Sequence, residues 1–192
     1  MSSESAPGAV DVTSKVAALG RSVAEASLSQ VWAALSIEDR ALALEAGAEE
    51  DPTVRAWMIA EVSRARHFRE KTVRSWSVRE LANQAARIGP PKREWIREVF
   101  IAFHGRHRSQ ILVQYLDELR VPHENGLVSV DAEDCTIGEE QAKAAALALL
   151  RVHPADQVVV YFVCLNIISP FLCPGIQTWL PELLNTIEPR GG

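Results

Sequence analysis

The chain has 192 residues, 47% of them hydrophobic, which suits one globular domain and excludes wholesale disorder. A chain of this length can fold without a structural metal or disulfide. Its net charge is −5, and its three cysteines form no CxxC pair, which favours a reducing compartment. Residues 1–12 lack the basic and apolar regions of a signal peptide, so we expect a cytoplasmic protein with a loose tail over residues 1–10.

The N-terminal third predicts several helices. Apolar residues recur at three- and four-residue steps in two stripes, Val12, Val16, Leu19 and Val23, then Leu28, Val31, Trp32 and Leu35. Gly20 weakens the first of these helices. Ser36 predicts the N-cap of the next helix, and Gly47 predicts its end. Asp51 predicts another N-cap, with Pro52 at the first helical position.

The middle of the chain continues this pattern. Ser77, with Glu80 three residues later, predicts a capping box, and the Gly-Pro-Pro run at residues 89–91 ends the helix that it opens. Further apolar stripes follow at Trp95, Ile96, Val99, Phe100 and Phe103, and at Ile111, Leu112, Tyr115, Leu116 and Leu119. We expect Gly105 to break or bend the first of these two helices.

The C-terminal third mixes turn and helix signals. An Asn-Gly pair within residues 123–130 predicts a turn and one small extended piece. Thr136, with Glu139 three residues later, predicts a second capping box ahead of an Ala-rich helix. Apolar residues at helical spacing predict a final helix, and Pro181 inside this stretch predicts its start.

Residues 158–173 are the most apolar stretch, and residues 158–165 contain no charged side chain. Such a run has to be removed from water on all sides, so we expect other segments to pack around it. Pro154 at a first helical position and Asp156 in the first turn favour a buried helix that Pro170 ends. A buried strand is the first alternative because the run is rich in valine. A membrane span is the second, although polar residues interrupt the roughly 20 apolar residues that it needs.

Together these patterns predict an all-α fold, an irregular or orthogonal bundle of roughly seven to nine helices. At most a minor extended piece is expected near residues 123–130. We expect residues 11–192 to form a single helical domain, with a sub-division near residues 122–136 as the alternative.

The charges are distributed unevenly. Residues 55–108 carry 13 basic and 5 acidic residues, residues 1–54 carry 3 and 9, and residues 109–192 carry 4 and 11. A basic middle between acidic ends predicts either a surface for an acidic partner or ion pairs within the fold.

Ten residues of this middle form the candidate binding site: Arg64, Arg66, Arg69, Lys71, Arg74, Trp76, Arg93, Arg97, Arg106 and Arg108. They suggest a non-enzymatic module that binds an acidic or amphipathic segment of a protein partner between its helices. The alternative is nucleic-acid binding by the same arginines, whose planar side chains suit phosphate. Self-association through opposite charges is a further alternative, and no membrane partner is expected.

No pattern predicts enzyme chemistry. The chain has no nucleophile elbow, phosphate-binding loop or dinucleotide fingerprint. Cys135 lies among acidic residues, which disfavour a reactive thiolate. His104 and His107 would need a distant third ligand to hold a metal, and the arginines beside them repel a cation. We therefore expect no catalytic residue, no metal site and no cofactor.

Overall fold

The protein is described here by a computed structural model, which covers residues 7–128 and 136–187, with side chains for residues 14–126, 128 and 136–185. That part of the chain forms eleven α-helices and one two-stranded hairpin. The predicted all-α fold is confirmed, with a helix count slightly above the predicted range. Cys135 and the first six residues of the predicted tail lie outside the described residues.

The elements are, in chain order, α1 (Pro7–Arg21), α2 (Leu28–Ala34), α3 (Ile37–Glu50), α4 (Pro52–Arg66), α5 (Glu70–Arg74), α6 (Val78–Ala85), α7 (Arg93–His107), α8 (Ser109–Leu119), β1 (His123–Glu124), β2 (Leu127–Val128), α9 (Glu139–Val152), α10 (Ala155–Ile168) and α11 (Ile176–Ile187). Two compact units are present. We name Leu35–Arg108 the central unit, and Met1–Ala34 with Ser109–Gly192 the terminal unit.

The terminal unit is built around α10. Residues 158–165 are all buried, and α10 contacts α1, α2 and α9. The predicted buried helix is therefore confirmed, and the strand alternative is wrong. Pro154 is the N-cap residue rather than the first helical residue, and the helix ends at Ile168, two residues before Pro170. Among the described residues, no helix combines the length and the apolar character that crossing a membrane requires.

A short hairpin in the same unit confirms the predicted turn. β1 and β2 pair antiparallel, with His123 opposite Val128. Asn125 and Gly126 connect them with φ values of 52° and 90°. Positive φ at both central positions matches the right-handed twist of the flanking strands, and Asn and Gly adopt it at little cost.

Two predicted helix starts in this unit are wrong. Gly138, not Thr136, is the N-cap of α9, and no side chain caps that helix. Glu139 is thus the first helical residue, and its carboxyl group lies against Gly175 instead of completing a capping box. Pro181 lies inside α11 and does not start it. Buried residues on both sides of the proline, Trp179 and Leu183 among them, keep the stretch in one helix.

The central unit is built around α3, which contacts α4, α6 and α7. Ser36 caps α3, as predicted, by accepting a hydrogen bond from the Asp39 N–H at 3.0 Å. The prediction that Gly47 ends this helix is wrong, because α3 continues to Glu50. Gly47 is buried inside it, and a Cβ there would lie 2.8 Å from Cγ2 of Val99 on α7. Close packing of two helices, not helix termination, explains this glycine.

The remaining boundaries of the central unit follow local capping. Asp51 accepts a hydrogen bond from the Thr53 N–H at 2.8 Å, and Pro52 is the first residue of α4, as predicted. The predicted capping box of Ser77 and Glu80 opens α6. The expected break at Gly105 is wrong, since α7 is continuous from Arg93 to His107. Gly105 is an exposed position that leaves the helical backbone undisturbed.

Candidate functional site

All ten predicted binding residues lie in the central unit. They end α4 (Arg64, Arg66), lie on or beside α5 (Arg69, Lys71, Arg74, Trp76), or lie on or just after α7 (Arg93, Arg97, Arg106, Arg108). The whole unit carries 14 basic and 11 acidic residues, a net charge of +3. Much of the basic excess read from residues 55–108 is therefore balanced by acids of α3 and the residues around it.

Arg108 is a structural residue rather than a free binding residue. Its Nη2 donates to Oδ1 of Asp39 at 2.8 Å, and its side chain is only 18% exposed. Its guanidinium carbon also lies 5.4 Å from the ring centre of Phe103. These contacts hold the end of α7 against the first turn of α3, and they leave little of the charge available to a partner.

Arg106 is also paired with carboxylates, at the C-terminal end of α3. Its guanidinium pairs with Glu49 and with Glu50, whose Oε1 lies 2.8 Å from Nη2. Arg79, which was not predicted as a site residue, pairs with Glu45 of the same helix at 2.5 Å. In these pairs, glutamates of α3 neutralise the charges of Arg79 and Arg106.

Three other predicted arginines form weaker ion pairs. Arg64 pairs with Glu61, Arg74 lies 3.8 Å from Glu70, and Arg97 lies 3.3 Å from Glu98. Each pair joins near neighbours in sequence, and each arginine is more than half exposed. Exposed pairs of this kind contribute about 0.2–1 kcal/mol, so a partner's carboxylate can compete with them.

The four remaining cations, Arg66, Arg69, Lys71 and Arg93, form no ion pair with any residue that the structure describes. Three of them fall within six residues around the turn between α4 and α5. Arg93 is apart from them in the chain, in the first turn of α7. The structure thus separates the nine predicted cations into two that are occupied, three with weak exposed pairs and four with available charge.

The turn between α4 and α5 has a defined geometry. His67 ends α4 in the left-handed conformation, with φ 56°, and the N–H of the next residue, Phe68, donates to the Ser63 carbonyl at 3.1 Å. This bond is the six-to-one bond of a Schellman motif. The Phe68 ring lies 5.5 Å from the Trp76 ring in an edge-to-face contact, and Phe68 remains 47% exposed.

We name Arg66, Phe68, Arg69, Lys71 and Trp76 the basic–aromatic corner. Phe68 is absent from the ten predicted residues, although it lies in the middle of their densest segment. The available signal was its position, an aromatic residue two places after a basic helix end. Only the structure shows that its ring is exposed and contacts the edge or face of the Trp76 ring.

The histidines considered as metal ligands have other environments. His104 is buried against the rings of Phe100 and Phe103, and burial, reinforced by the charge of Arg108, lowers its pKa to about 3. In the terminal unit, His123 lies 3.2 Å from Asp117 and accepts the Gly126 N–H. Within the described ranges, no three His, Cys, Asp or Glu residues are grouped to hold a metal ion.

Comparison with known proteins finds no family model, curated protein or solved structure that matches this chain. The class that the fold and the site define is therefore broad. It is an all-α protein whose central unit has an exposed cluster of cationic and aromatic side chains.

Proposed function

We propose that the protein is a non-enzymatic interaction module that binds an acidic segment of a protein partner at the basic–aromatic corner. The observation that supports this most is the contrast within the central unit. Arg106 and Arg108 are matched to carboxylates of α3, whereas Arg66, Arg69 and Lys71 have no ion pair among the described residues. A partner with carboxylates would supply the missing charges.

Charge complementarity at the corner would act mainly on association. Exposed complementary charges steer encounters and select partners more than they raise affinity. We therefore expect binding that is fast at low ionic strength and that weakens as salt screens the three cations. Salt dependence alone would not distinguish a protein partner from a nucleic acid.

The charge distribution favours a protein segment over a nucleic acid. Nucleic-acid affinity grows with the number of phosphates that a protein neutralises. The corner offers only three cations without an ion pair among the described residues, and the chain as a whole carries a net charge of −5. A short acidic segment needs only a few contacts, whereas a long polyanion would meet repulsion from the rest of the chain.

A defined peptide tests this proposal. The probe is a fluorescein-labelled peptide of about twelve residues that contains six Asp or Glu residues and one Leu, titrated with the full chain and followed by fluorescence anisotropy. We expect Arg66→Glu with Arg69→Glu to weaken binding at least about tenfold, because two attractive contacts become repulsive.

The matched control is Arg55→Glu with Arg87→Glu. It changes the net charge of the same unit by the same amount, at cations that also lack an ion pair among the described residues. About 11 residues of helix, roughly 16 Å, separate Arg55 from Arg66. Equal losses in both variants would show that total charge, not the corner, governs binding, and would overturn the proposal. Tighter binding of a single-stranded oligonucleotide of equal charge would favour the nucleic-acid alternative instead.

A further inference from the structure

We infer that the basic–aromatic corner recognises an apolar side chain flanked by carboxylates, an acid–apolar–acid pattern, with the apolar group placed on Phe68. This inference rests on the proposed function and specifies its partner. It is drawn from the position of Phe68, from the support of its ring by Trp76, and from the order of the cations around it.

The position of Phe68 leaves much of its ring exposed. In a Schellman motif, the residue after the left-handed position commonly makes an apolar contact with the helix residue five or six places earlier. Here those residues are Ser63, which offers no apolar side chain, and the fully buried Val62. Phe68 contacts the Trp76 ring, and about half of its surface remains exposed. The turn thus presents an aromatic surface to solvent.

Trp76 gives this ring a fixed support. It immediately precedes Ser77, whose N–H donates to Glu80 Oε2 at 2.9 Å in the capping box of α6. Trp76 is half-buried, and the two ring planes meet at 73°. Because the capping box fixes the backbone next to Trp76, a ligand that contacts the pair has less conformational freedom to remove.

The cations lie on both sides of Phe68 in the chain. Arg66 is the last residue of α4, two places before the ring, and Arg69 directly follows the ring as the N-cap residue of α5. Lys71 lies two places further on. A partner segment that runs along this turn with an apolar group on the ring would meet positive charge before and after it, which is the reason for a carboxylate on each side.

Three labelled peptides of equal charge test the pattern. One has Leu between acidic pairs, the second has Ala in its place, and the third has the Leu moved to the end of the peptide. We expect the first to bind at least about fivefold more tightly than the other two, because only it buries an apolar side chain on Phe68.

The protein variants are Phe68→Ser and Phe68→Leu, with Ile101→Ser as the matched control. Ile101 is 42% exposed on α7 of the same unit, close to the 47% of Phe68. We expect Phe68→Ser to remove the preference for the central Leu, Phe68→Leu to retain most of it, and Ile101→Ser to leave it unchanged.

The two hypotheses fail in different ways. If Phe68→Ser keeps the full preference, or if the three peptides bind equally, the acid–apolar–acid inference is overturned. The proposed function would still stand in that case, provided that Arg66→Glu with Arg69→Glu weakens all three peptides. If this charge reversal changes nothing, the proposed function itself is wrong, and the inference falls with it.

Discussion

The terminal and central units are both helical, yet their central helices are packed differently. In the terminal unit, α10 buries eight consecutive residues, 158–165, and large aromatic rings surround it. In the central unit, α3 buries mostly small residues, Ala41, Ala43, Ala46, Gly47 and Ala48 among them. Small residues let helix backbones approach closely, whereas large side chains fill the space between more distant helices.

The two units also differ in where their charges lie. The core run of the terminal unit lies within residues 157–181, which contain no charged residue. In the central unit, the helices around α3 bring Arg79, Arg106 and Arg108 to its acidic residues. Arg66, Arg69 and Lys71 at the corner between α4 and α5 are outside this matching, since they form no ion pair among the described residues.

The largest loss of stability is expected from truncating a large side chain in the core of the terminal unit. Phe162 is fully buried, and its ring lies 4.9 Å from that of Tyr115 and 5.3 Å from that of Trp179. We expect Phe162→Ala to lower the free energy of unfolding by about 3–5 kcal/mol, because the surrounding rings cannot fill the cavity. Urea unfolding followed by circular dichroism measures the change.

Phe171→Ala is the control in the same unit. Its side chain is 49% exposed, so we expect a change of about 0.5 kcal/mol or less. A loss of similar size in both variants would contradict the description of α10 as the centre of a core that depends on large side chains.

A second prediction concerns acid stability and the central unit. The pKa of His104 is about 3 in the folded protein, against an ordinary value of 6.5. Below pH 6.5 the unfolded chain binds a proton that folded His104 does not, so stability falls as the pH falls. Between about pH 7 and pH 4.5 this group alone should remove about 2.5 kcal/mol from the free energy of unfolding.

The variant His104→Gln tests this assignment. It should lose less stability than the natural chain over the same pH interval, whatever its stability at pH 7. His67→Gln, at an exposed position of the same unit, is the control for replacing a histidine by glutamine. Parallel pH profiles for the natural chain and His104→Gln would show that folding does not lower the pKa of His104.

The sequence predicts best the helix caps and turns, which depend on a few neighbouring residues. The caps at Ser36, Asp51 and Ser77 are hydrogen bonds between a side chain and a backbone N–H two or three residues away, so the residue types suffice. The Asn-Gly turn is equally local. The buried helix α10 was also predictable, because Pro154 and Pro170 bracket an apolar run of helical length.

The sequence predicts poorly the ion pairs and the side-chain exposure that depend on residues far apart in the chain. The partners of Arg106 and Arg108 lie 56 to 69 positions away, so the basic segment alone cannot show which cations are occupied. The exposure of Phe68 depends on Trp76 and on the left-handed turn at His67. The sequence names ten candidate residues, and only the structure shows that Arg106 and Arg108 among them already pair with carboxylates of α3.

The glycines show the same limit and lead to the last prediction. From the sequence, Gly20 is expected to weaken a helix and Gly47 to end one. In the structure, each lies where a neighbouring helix is close. A Cβ on Gly47 would lie 2.8 Å from Val99 Cγ2 and 3.3 Å from Val99 Cα. A Cβ on Gly20 would lie 2.5 Å from Leu184 Cδ1 and 2.9 Å from Val159 Cγ1. At both positions the end of a β-branched valine is too close and has little rotational freedom, and at Gly47 the valine backbone is close as well.

We therefore expect Gly47→Ala to destabilise the protein by about 2 kcal/mol and Gly20→Ala by about 1–2 kcal/mol, measured by urea unfolding. Gly105→Ala is the control, because a Cβ there meets nothing within 4 Å. It should stabilise α7 by about 0.5–1 kcal/mol, since alanine is the better helix former. If Gly47→Ala matched Gly105→Ala, α3 would not depend on small residues, and the contrast between the two units would lose its basis.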